Sequence, residues 1–215
     1  MISFENITIR IHQQALLSDT SLHISNGDKV VIRGASGCGK SSLLKSVVGA
    51  TPLHDGSICV DGANLSSTTI AGARARIAFI GQEPVLGAEK VHDAIQLPFT
   101  FKAHSAKAPS AERIKELLDR LRLPEEILEK PCARISGGEK QRIAILRALL
   151  LDKTIFMADE ITSALDSESR TSVMAELFQP EITLLSVSHD PQWINNCDRI
   201  IELRDRKLME SCHEH

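Results

Sequence analysis

A glycine-rich segment near the start of the chain has the residue types and spacing that bind a phosphate chain. It matches the pattern G-x-x-x-x-G-K-[ST], and its residues are Gly34, Ala35, Ser36, Gly37, Cys38, Gly39, Lys40 and Ser41. Glycines let consecutive backbone N–H groups curl around phosphate oxygens, and a following helix adds the positive end of its dipole. The pattern therefore predicts that Lys40 reaches the β- and γ-phosphates of a nucleotide and that the Ser41 hydroxyl binds Mg²⁺.

The flanking sequence has the composition of a strand before the loop and a helix after it. Residues 29–33 form an apolar run typical of a buried strand, and residues 42–48 have the pattern of a helix. Ser42, which directly follows the motif, is also an expected nucleotide contact. A plain glycine-rich turn is the alternative, but it gives Lys40 no structural reason to be there. Nucleotide binding is therefore the favoured interpretation.

Two acidic residues end a second apolar run, at residues 154–158. Asp159 suits the coordination shell of Mg²⁺, and Glu160 suits the orientation and deprotonation of an attacking water. An acidic pair after a strand is also common as a simple strand end. The pair becomes informative because parallel strands would bring it to the edge of the sheet where the phosphate loop lies.

A third segment combines a helix cap with two glycines. Ser136 and Glu139 have the S-x-x-E spacing of a capping box for a helix that runs to about residue 150. Gly137 and Gly138 occupy its first turn, where they lower helix stability. A well-capped helix is the simple interpretation; the glycines make sense if bare backbone N–H groups face an anion.

The order of predicted elements is that of an α/β protein. Apolar runs predict strands at residues 2–11, 21–24, 30–33, 57–60, 77–80, 155–158 and 183–187. The pattern turns helical from about residue 91 to 150, including a helix over 111–121 with Ile114, Leu117, Leu118 and Leu121 on one face. Strands that alternate with helices predict a parallel sheet, here interrupted by a helical insertion.

Composition narrows the possible classes of protein. The 215 residues suffice for one large α/β domain, and the net charge of −3 from 25 basic and 28 acidic residues argues against nucleic acid as the main partner. No apolar run approaches the roughly 20 residues of a membrane span, and no signal peptide is evident, so we expect a cytosolic protein.

Cysteine spacing gives no sign of a disulfide framework or a zinc site. The five cysteines are an odd number and contain no C-x-x-C pair. Cys212, His213 and His215 cluster at the end of the chain, where either metal binding or a disordered terminus is open, and the terminus is the favoured alternative.

With these three motifs in this order, the chain resembles an ATP-binding cassette (ABC) ATPase from end to end. The resemblance implies ATP and Mg²⁺ as ligands and an ABC-type P-loop NTPase fold. That fold has a RecA-like parallel-sheet core, an N-terminal antiparallel β-subdomain and an inserted helical subdomain. The whole chain would form one nucleotide-binding domain, with residues 1–90 and 151–215 as the catalytic core and 91–150 as the helical subdomain.

The resemblance also assigns roles to residues that are uninformative alone. Gln82 resembles the glutamine that contacts Mg²⁺ and the lytic water, Asp166 ends a segment like the family's D-loop, and His189 resembles the switch histidine that holds the γ-phosphate. In this family the segment around Ser136, Gly137 and Gly138 closes over the phosphate loop of a second molecule. A head-to-tail, ATP-bound homodimer is therefore implied.

Three positions depart from the usual family pattern. Ile11 stands where an aromatic residue usually stacks on adenine, Glu139 replaces a commoner glutamine, and Ile161 replaces the proline after Glu160. The sequence D-E-I-T-S-A-L-D at 159–166, together with residues 123–128, resembles bacterial iron-export ATP-binding subunits.

The leading functional hypothesis is the ATPase subunit of a transporter that works with a separate transmembrane permease, cytoplasmic and peripheral on the inner face of the membrane. A DNA-maintenance ATPase of the same superfamily would need a long coiled-coil insertion, and translation factors of this type carry two cassettes. A non-transport role in a cell-division or mechanotransmission complex stays open as the alternative.

Overall fold

The computed structural model describes residues 1–12 and 14–211, so the interpretation of Cys212, His213 and His215 lies outside the described residues. In chain order the elements are β1 Ile2–Ile11, β2 Gln14–Ile24, β3 Lys29–Arg33, α1 Lys40–Val47, β4 Asp55–Val60, β5 Ala63–Asn64, α2 Ile70–Arg76, β6 Ile77–Ile80, α3 Val91–Gln96, α4 Ala111–Arg120, α5 Gly137–Leu149, β7 Ile155–Asp159, α6 Ser167–Leu177, β8 Thr183–Val187, α7 Pro191–Asn195, β9 Arg199–Arg204 and β10 Lys207–Ser211. Short 3₁₀ turns lie between α3 and α5.

Four strands form an antiparallel sheet in the order β2-β1-β4-β5. In β1 the buried apolar residues Ile2 and Phe4 are followed, after a shift of register, by Ile7 and Ile9. The alternation of buried and exposed positions explains why this sheet is apolar on one face only. Strand β1 also pairs with β4 in the antiparallel direction, with Ile2 opposite Val60.

Six strands form the second sheet, in the order β10-β9-β3-β8-β7-β6. Strand β3 pairs in parallel with β8 and β9, and β7 pairs in parallel with β8. Every residue of β7 and β8 is buried, as expected of central strands covered on both faces. The parallel-sheet core predicted from sequence is confirmed, because the carboxyl ends of β3, β7 and β8 lie at one edge of this sheet.

The described residues divide into two compact units. The first contains residues 1–79, 154–160 and the chain from 180 onward; the second contains 80–153 and 161–179. The core of the first unit joins apolar residues of both sheets to α1, including Phe4, Leu43 and Met157. In the second unit Ile114, Leu117, Leu118 and Leu121 are buried, as the helical spacing predicted. The boundaries at residues 90 and 150 for a helical subdomain stay a prediction.

None of the helices within the described part of the chain is long and apolar enough to cross a membrane.

Candidate functional site

The phosphate loop connects β3 to α1 and needs glycine at three positions. Gly34, Gly37 and Gly39 have φ values of 151°, 76° and 114°, a region that favours glycine. A Cβ on Gly34 would lie 2.6 Å from the carbonyl oxygen of Leu203, and one on Gly39 would lie 2.9 Å from Cβ of Leu16. Backbone conformation therefore favours glycine at all three positions, and close approach of neighbouring atoms requires it at Gly34 and Gly39. The predicted arrangement of strand, loop and helix is confirmed.

Lys40 is the first residue of α1, and its side chain turns back beneath the loop. Its Nζ donates hydrogen bonds to the carbonyl oxygens of Gly34 and Ala35, each at 2.9 Å, and the residue is only 5% exposed. These acceptors are neutral. An anionic phosphate oxygen would form a stronger, charge-assisted bond with the ammonium group. The lysine is thus already held at the loop to which a phosphate would bind.

The remaining predicted residues of the loop lie at or near the surface. Ala35, Ser36 and Gly37 are exposed at the turn, whereas Cys38 and Ser42 are half-buried. The Cys38 side chain packs against the core cluster, and its sulfur would be 3.0 Å from a Cβ on Gly34. Exposed backbone at the turn is what a phosphate-binding loop requires.

Two oxygen ligands suited to Mg²⁺ meet beside the loop. The Ser41 hydroxyl donates to Oδ1 of Asp159 at 2.9 Å, which joins α1 to the end of β7. Burial raises the pKa of the Asp159 carboxyl, and the hydrogen bond from Ser41 opposes that shift. A buried carboxylate next to a hydroxyl fits the oxygen-rich coordination that Mg²⁺ prefers, so the donor set agrees with a magnesium site.

Glu160 and His189 face each other at the same edge of the sheet. Glu160 has φ 50°, which is uncommon for a residue with a side chain, and its N–H donates to the carbonyl of Val187 at 2.9 Å. Oε1 of Glu160 lies 3.7 Å from Nε2 of His189, and the histidine side chain is 58% exposed. The hydrogen bond to Val187 therefore holds Glu160 at the end of β8, two residues before His189.

Ile11 ends β1 opposite Gln14 of β2 and is 42% exposed. Leu16 and Leu17 of β2 lie against the phosphate loop, because both approach the position of a Cβ on Gly39 within 3.0 Å. The hairpin that carries Ile11 is therefore packed directly beside the loop. An apolar, solvent-accessible side chain is available there for a base.

In the second unit, Ser136 caps α5 with the predicted capping box. Its Oγ accepts from the N–H of Glu139 at 3.1 Å, and a Glu139 carboxylate oxygen accepts from the N–H of Ser136 at 2.7 Å. That second bond lowers the pKa of Glu139.

The two glycines after Ser136 differ in their surroundings. A Cβ on Gly138 would be 2.7 Å from the carbonyl oxygen of Ala164, whereas one on Gly137 would meet Ala164 only at 3.9 Å. Both glycines were predicted to face an anion, and their packing against Ala164 and Leu165 was not predicted from sequence. Only Gly138 needs the absence of a side chain for the fold itself.

Asp166 is the N-cap of α6. Its carboxylate accepts from the N–H of Ser169 at 2.8 Å and from the Ser169 hydroxyl at 3.0 Å. The backbone bond lowers the pKa of Asp166. The residue that the family resemblance related to nucleotide thus also has a local structural role.

Gln82 follows β6, and the segment around it is held by α5. The side-chain amide of Gln141, 1% exposed, donates to the carbonyl of Gly81 at 3.3 Å. Arg147 donates to the carbonyls of Leu86 at 3.0 Å and Val85 at 3.2 Å. Neither Gln141 nor Arg147 was predicted to make these contacts, because neither lies in a spacing that signals them.

The structure thus brings the phosphate loop, Asp159, Glu160 and His189 together within the first unit. Gln82, Asp166 and residues 136–138 belong to the second unit. Among residues 1–12 and 14–211, no group of three or more histidines, cysteines and acids is arranged to hold a metal by itself.

The family described as "ABC transporter" matches residues 17–163. Among curated proteins, the probable iron export ATP-binding protein FetA of Escherichia coli K12 is 30% identical over 95% of this chain and 91% of its own length. The glutamate/aspartate import ATP-binding protein GltL of the same strain is 34% identical over 98% and 90%.

Solved structures agree with these sequence matches. The ATP-binding cassette MJ0796, in a dimeric post-hydrolysis state bound to ADP and Pi, superposes with a TM-score of 0.87 at 27% identity over the whole of both chains. The antiparallel sheet and the parallel-sheet core predicted for this chain are therefore those of an ABC ATPase fold. The chain belongs to the ABC transporter family, as an ATP-binding subunit with the ABC ATPase fold.

Proposed function

We propose that this chain hydrolyses ATP as a head-to-tail homodimer and thereby drives a separately encoded transmembrane permease at the inner face of the membrane. The observation that carries the proposal is the cluster of Lys40, Ser41, Asp159, Glu160 and His189 at one edge of one sheet. These residues supply a cation for phosphate, oxygen ligands for Mg²⁺, and a carboxylate with a histidine beside it.

Each of these side chains has a distinct task in the proposed reaction. Lys40 binds the β- and γ-phosphates, and Ser41 and Asp159 hold Mg²⁺, which when bound neutralises charge on the phosphate oxygens. Glu160 orients the attacking water and accepts its proton. His189, whose Nε2 lies 3.7 Å from Oε1 of Glu160, contacts the γ-phosphate.

The remaining contacts in this proposal follow from the family resemblance. Gln82 completes the surroundings of Mg²⁺ and the water, while Ser136, Gly137, Gly138 and Asp166 act on the nucleotide of the partner molecule. The dimeric state of the MJ0796 cassette supports this arrangement.

Iron, or another metal ion, is the cargo we propose. Overall identity does not separate cargo classes, since the glutamate/aspartate importer subunit is as similar to this chain as the iron-export protein. The local sequence is more specific: D-E-I-T-S-A-L-D at 159–166 has Ile161 where the family usually has proline. Cargo recognition would belong to the permease.

Substitution of Glu160 by glutamine tests the catalytic proposal. We expect Glu160→Gln to bind ATP normally, lose most of its hydrolysis and accumulate as an ATP-bound dimer, since the amide keeps the shape but accepts no proton. Steady-state phosphate release and size-exclusion chromatography with Mg-ATP measure both effects. Turnover like that of the unchanged protein would remove Glu160 from this role.

The partner and the cargo are tested separately. Reconstitution with the membrane protein that co-purifies should stimulate ATP hydrolysis well above that of the isolated chain; no stimulation would contradict the transporter role. Deletion of the gene should alter cellular iron content. An unchanged iron content beside an altered level of another solute would exclude iron and leave the ATPase proposal intact.

A further inference from the structure

The helix that follows His189 is anchored in the sheet by a buried polar pair. Trp193, on α7, is fully buried, and its indole Nε1–H donates to the Ser186 hydroxyl at 2.9 Å. Ser186 lies in β8, is 1% exposed, and donates in turn to the carbonyl of Val30 on β3 at 3.1 Å. The indole, the hydroxyl and the strand carbonyl therefore form one buried chain of hydrogen bonds within the first unit.

Ser186 follows two leucines and precedes a valine in a buried central strand, so its hydroxyl needs partners there. Thr183–Val187 is buried at every position, and a hydroxyl buried there is costly unless it is hydrogen-bonded. Ser186 uses its one donor on Val30 and accepts from Trp193. The Ser186 hydroxyl thus bonds to both the indole and the Val30 carbonyl, and its removal deletes both buried hydrogen bonds.

The segment between these anchors is short and fixed at both ends. Asp190 caps α7 by accepting from the N–H of Trp193 at 2.9 Å, and its own N–H donates to the Ser188 hydroxyl at 3.1 Å. Pro191 fixes φ at the first helical position. His189 is therefore held between the end of β8 and a helix whose indole is bonded back to β8.

The side chain of His189 itself has little packing to orient it. It is 58% exposed, and the recorded distance from its Nε2 to Glu160 is 3.7 Å. Its direction must come from the backbone on either side. We propose that Trp193 and Ser186 are positioning residues for ATP hydrolysis, which hold α7 and so set His189 against Glu160. The proposal rests on the function proposed above for His189.

Substitutions that remove the bond and keep the fold provide the test. In the isolated chain, Ser186→Ala and Trp193→Phe should lower kcat by about tenfold to a hundredfold with KM for ATP nearly unchanged, since a misplaced group affects the chemical step. Ser186→Cys, close to serine in size and a weak acceptor, should lie between serine and alanine. The double variant Ser186→Ala/Trp193→Phe should be no slower than the worse single variant, because the pair acts as one unit.

The control is another buried hydroxyl of the same unit. Thr20 is 5% exposed and accepts from the N–H of Leu208 at 3.0 Å, in contact with β10 and away from His189. Thr20→Val should lose a comparable hydrogen bond and keep kcat. Trp193 is the only tryptophan, so an unchanged emission maximum shows that the ring stays buried in Thr20→Val and in the Ser186 variants.

The outcomes separate this inference from the proposed function. If His189→Ala abolishes turnover but the Ser186 and Trp193 variants behave like Thr20→Val, or change KM alone, the positioning role is refuted and the ATPase proposal stands. If His189→Ala leaves kcat unchanged, the role of His189 and the positioning role both fail while the ATPase proposal stands. If the unaltered chain hydrolyses no ATP, the ATPase proposal fails as well. A graded loss of kcat from serine through cysteine to alanine supports the positioning role.

Discussion

The two glycines at the start of α5 should respond to alanine in opposite directions. Alanine at Gly137 would place its Cβ 3.9 Å from Ala164, an ordinary contact, so helix propensity should raise the free energy of unfolding by up to about 1 kcal/mol. Alanine at Gly138 would place its Cβ 2.7 Å from a backbone oxygen of Ala164, which cannot rotate away. Overpacking of this kind costs about 2 kcal/mol, which outweighs the gain in propensity.

The net expectation is a loss of about 1 kcal/mol for Gly138→Ala, and a difference of about 2 kcal/mol between the two variants. For a chain of this length that difference corresponds to roughly 4–8 °C in Tm. Differential scanning calorimetry of the nucleotide-free protein measures it. Activity would not separate the variants, because both glycines are proposed to face nucleotide in the dimer.

Gly72, on α2, is the matched control for the gain in propensity, since a Cβ there would meet nothing within 4 Å. Gly72→Ala should therefore shift Tm upward, as Gly137→Ala does. The reasoning is refuted if Gly138→Ala unfolds at or above the temperature of Gly137→Ala. An equal loss in both variants would mean that the first turn of α5, rather than the contact with Ala164, determines the effect.

Three further substitution or labelling experiments test other parts of the site. Mg-ATP should protect Cys38 from maleimide labelling, as measured by peptide mapping, while the half-buried Cys59 on β4 should label equally with and without nucleotide; equal labelling of Cys38 would contradict its place at the phosphate. The capping bond that lowers the pKa of Glu139 stabilises the protein above the usual glutamate pKa of 4.5 and is lost as pH falls through the lowered value. Glu139→Gln should therefore have a lower Tm at pH 7 and should converge with the unchanged protein in acid; a constant difference across pH would argue against the charged cap. Ile11→Tyr should lower KM for ATP by about two- to tenfold if a base lies there, since stacking adds about 0.5–1.5 kcal/mol, and an unchanged KM would exclude Ile11 from the base site.

The phosphate loop, the strand ends and the capping box were predictable because each is encoded by neighbouring residues. The predicted bounds of the strands at 2–11, 77–80 and 183–187 agree with β1, β6 and β8. Such strands are apolar runs whose ends are polar or turn-forming residues. A loop that binds phosphate needs glycines at fixed spacing within a few residues, so its short sequence is enough to predict its structure.

The hairpin of β9 and β10 was missed for a specific reason. Its two-residue turn consists of Asp205 and Arg206, with φ values of 49° and 66°. A turn with both central residues left-handed usually contains glycine or asparagine at these positions, and arginine gives no such signal. Strand β9 also pairs with β3, and a pairing between segments so remote in sequence leaves no local signal.

The contacts that could not be predicted from sequence join residues that are distant along the chain. The carbonyl oxygen of Ala164 leaves no room for a side chain at position 138, and the Ser186 hydroxyl accepts the indole hydrogen bond of Trp193. In each case one partner looks ordinary in isolation: an alanine in a loop, a serine in a strand. Their importance comes from what the fold places against them, which no local pattern expresses.

The edge of the sheet that carries the chemistry also concentrates features that do not stabilise the nucleotide-free protein. Asp159 is buried with a raised pKa, the Lys40 ammonium is buried against neutral carbonyls, and Glu160 has a left-handed backbone. Magnesium would neutralise charge at Asp159, and a phosphate oxygen would form a stronger, charge-assisted bond with Lys40, so ligand would relieve both costs further. Binding to the folded state alone should stabilise it by about 2.7 kcal/mol at a ligand concentration roughly a hundred times Kd. Residues that lower the stability of the free protein at this edge are therefore the ones through which bound Mg-ATP would stabilise it.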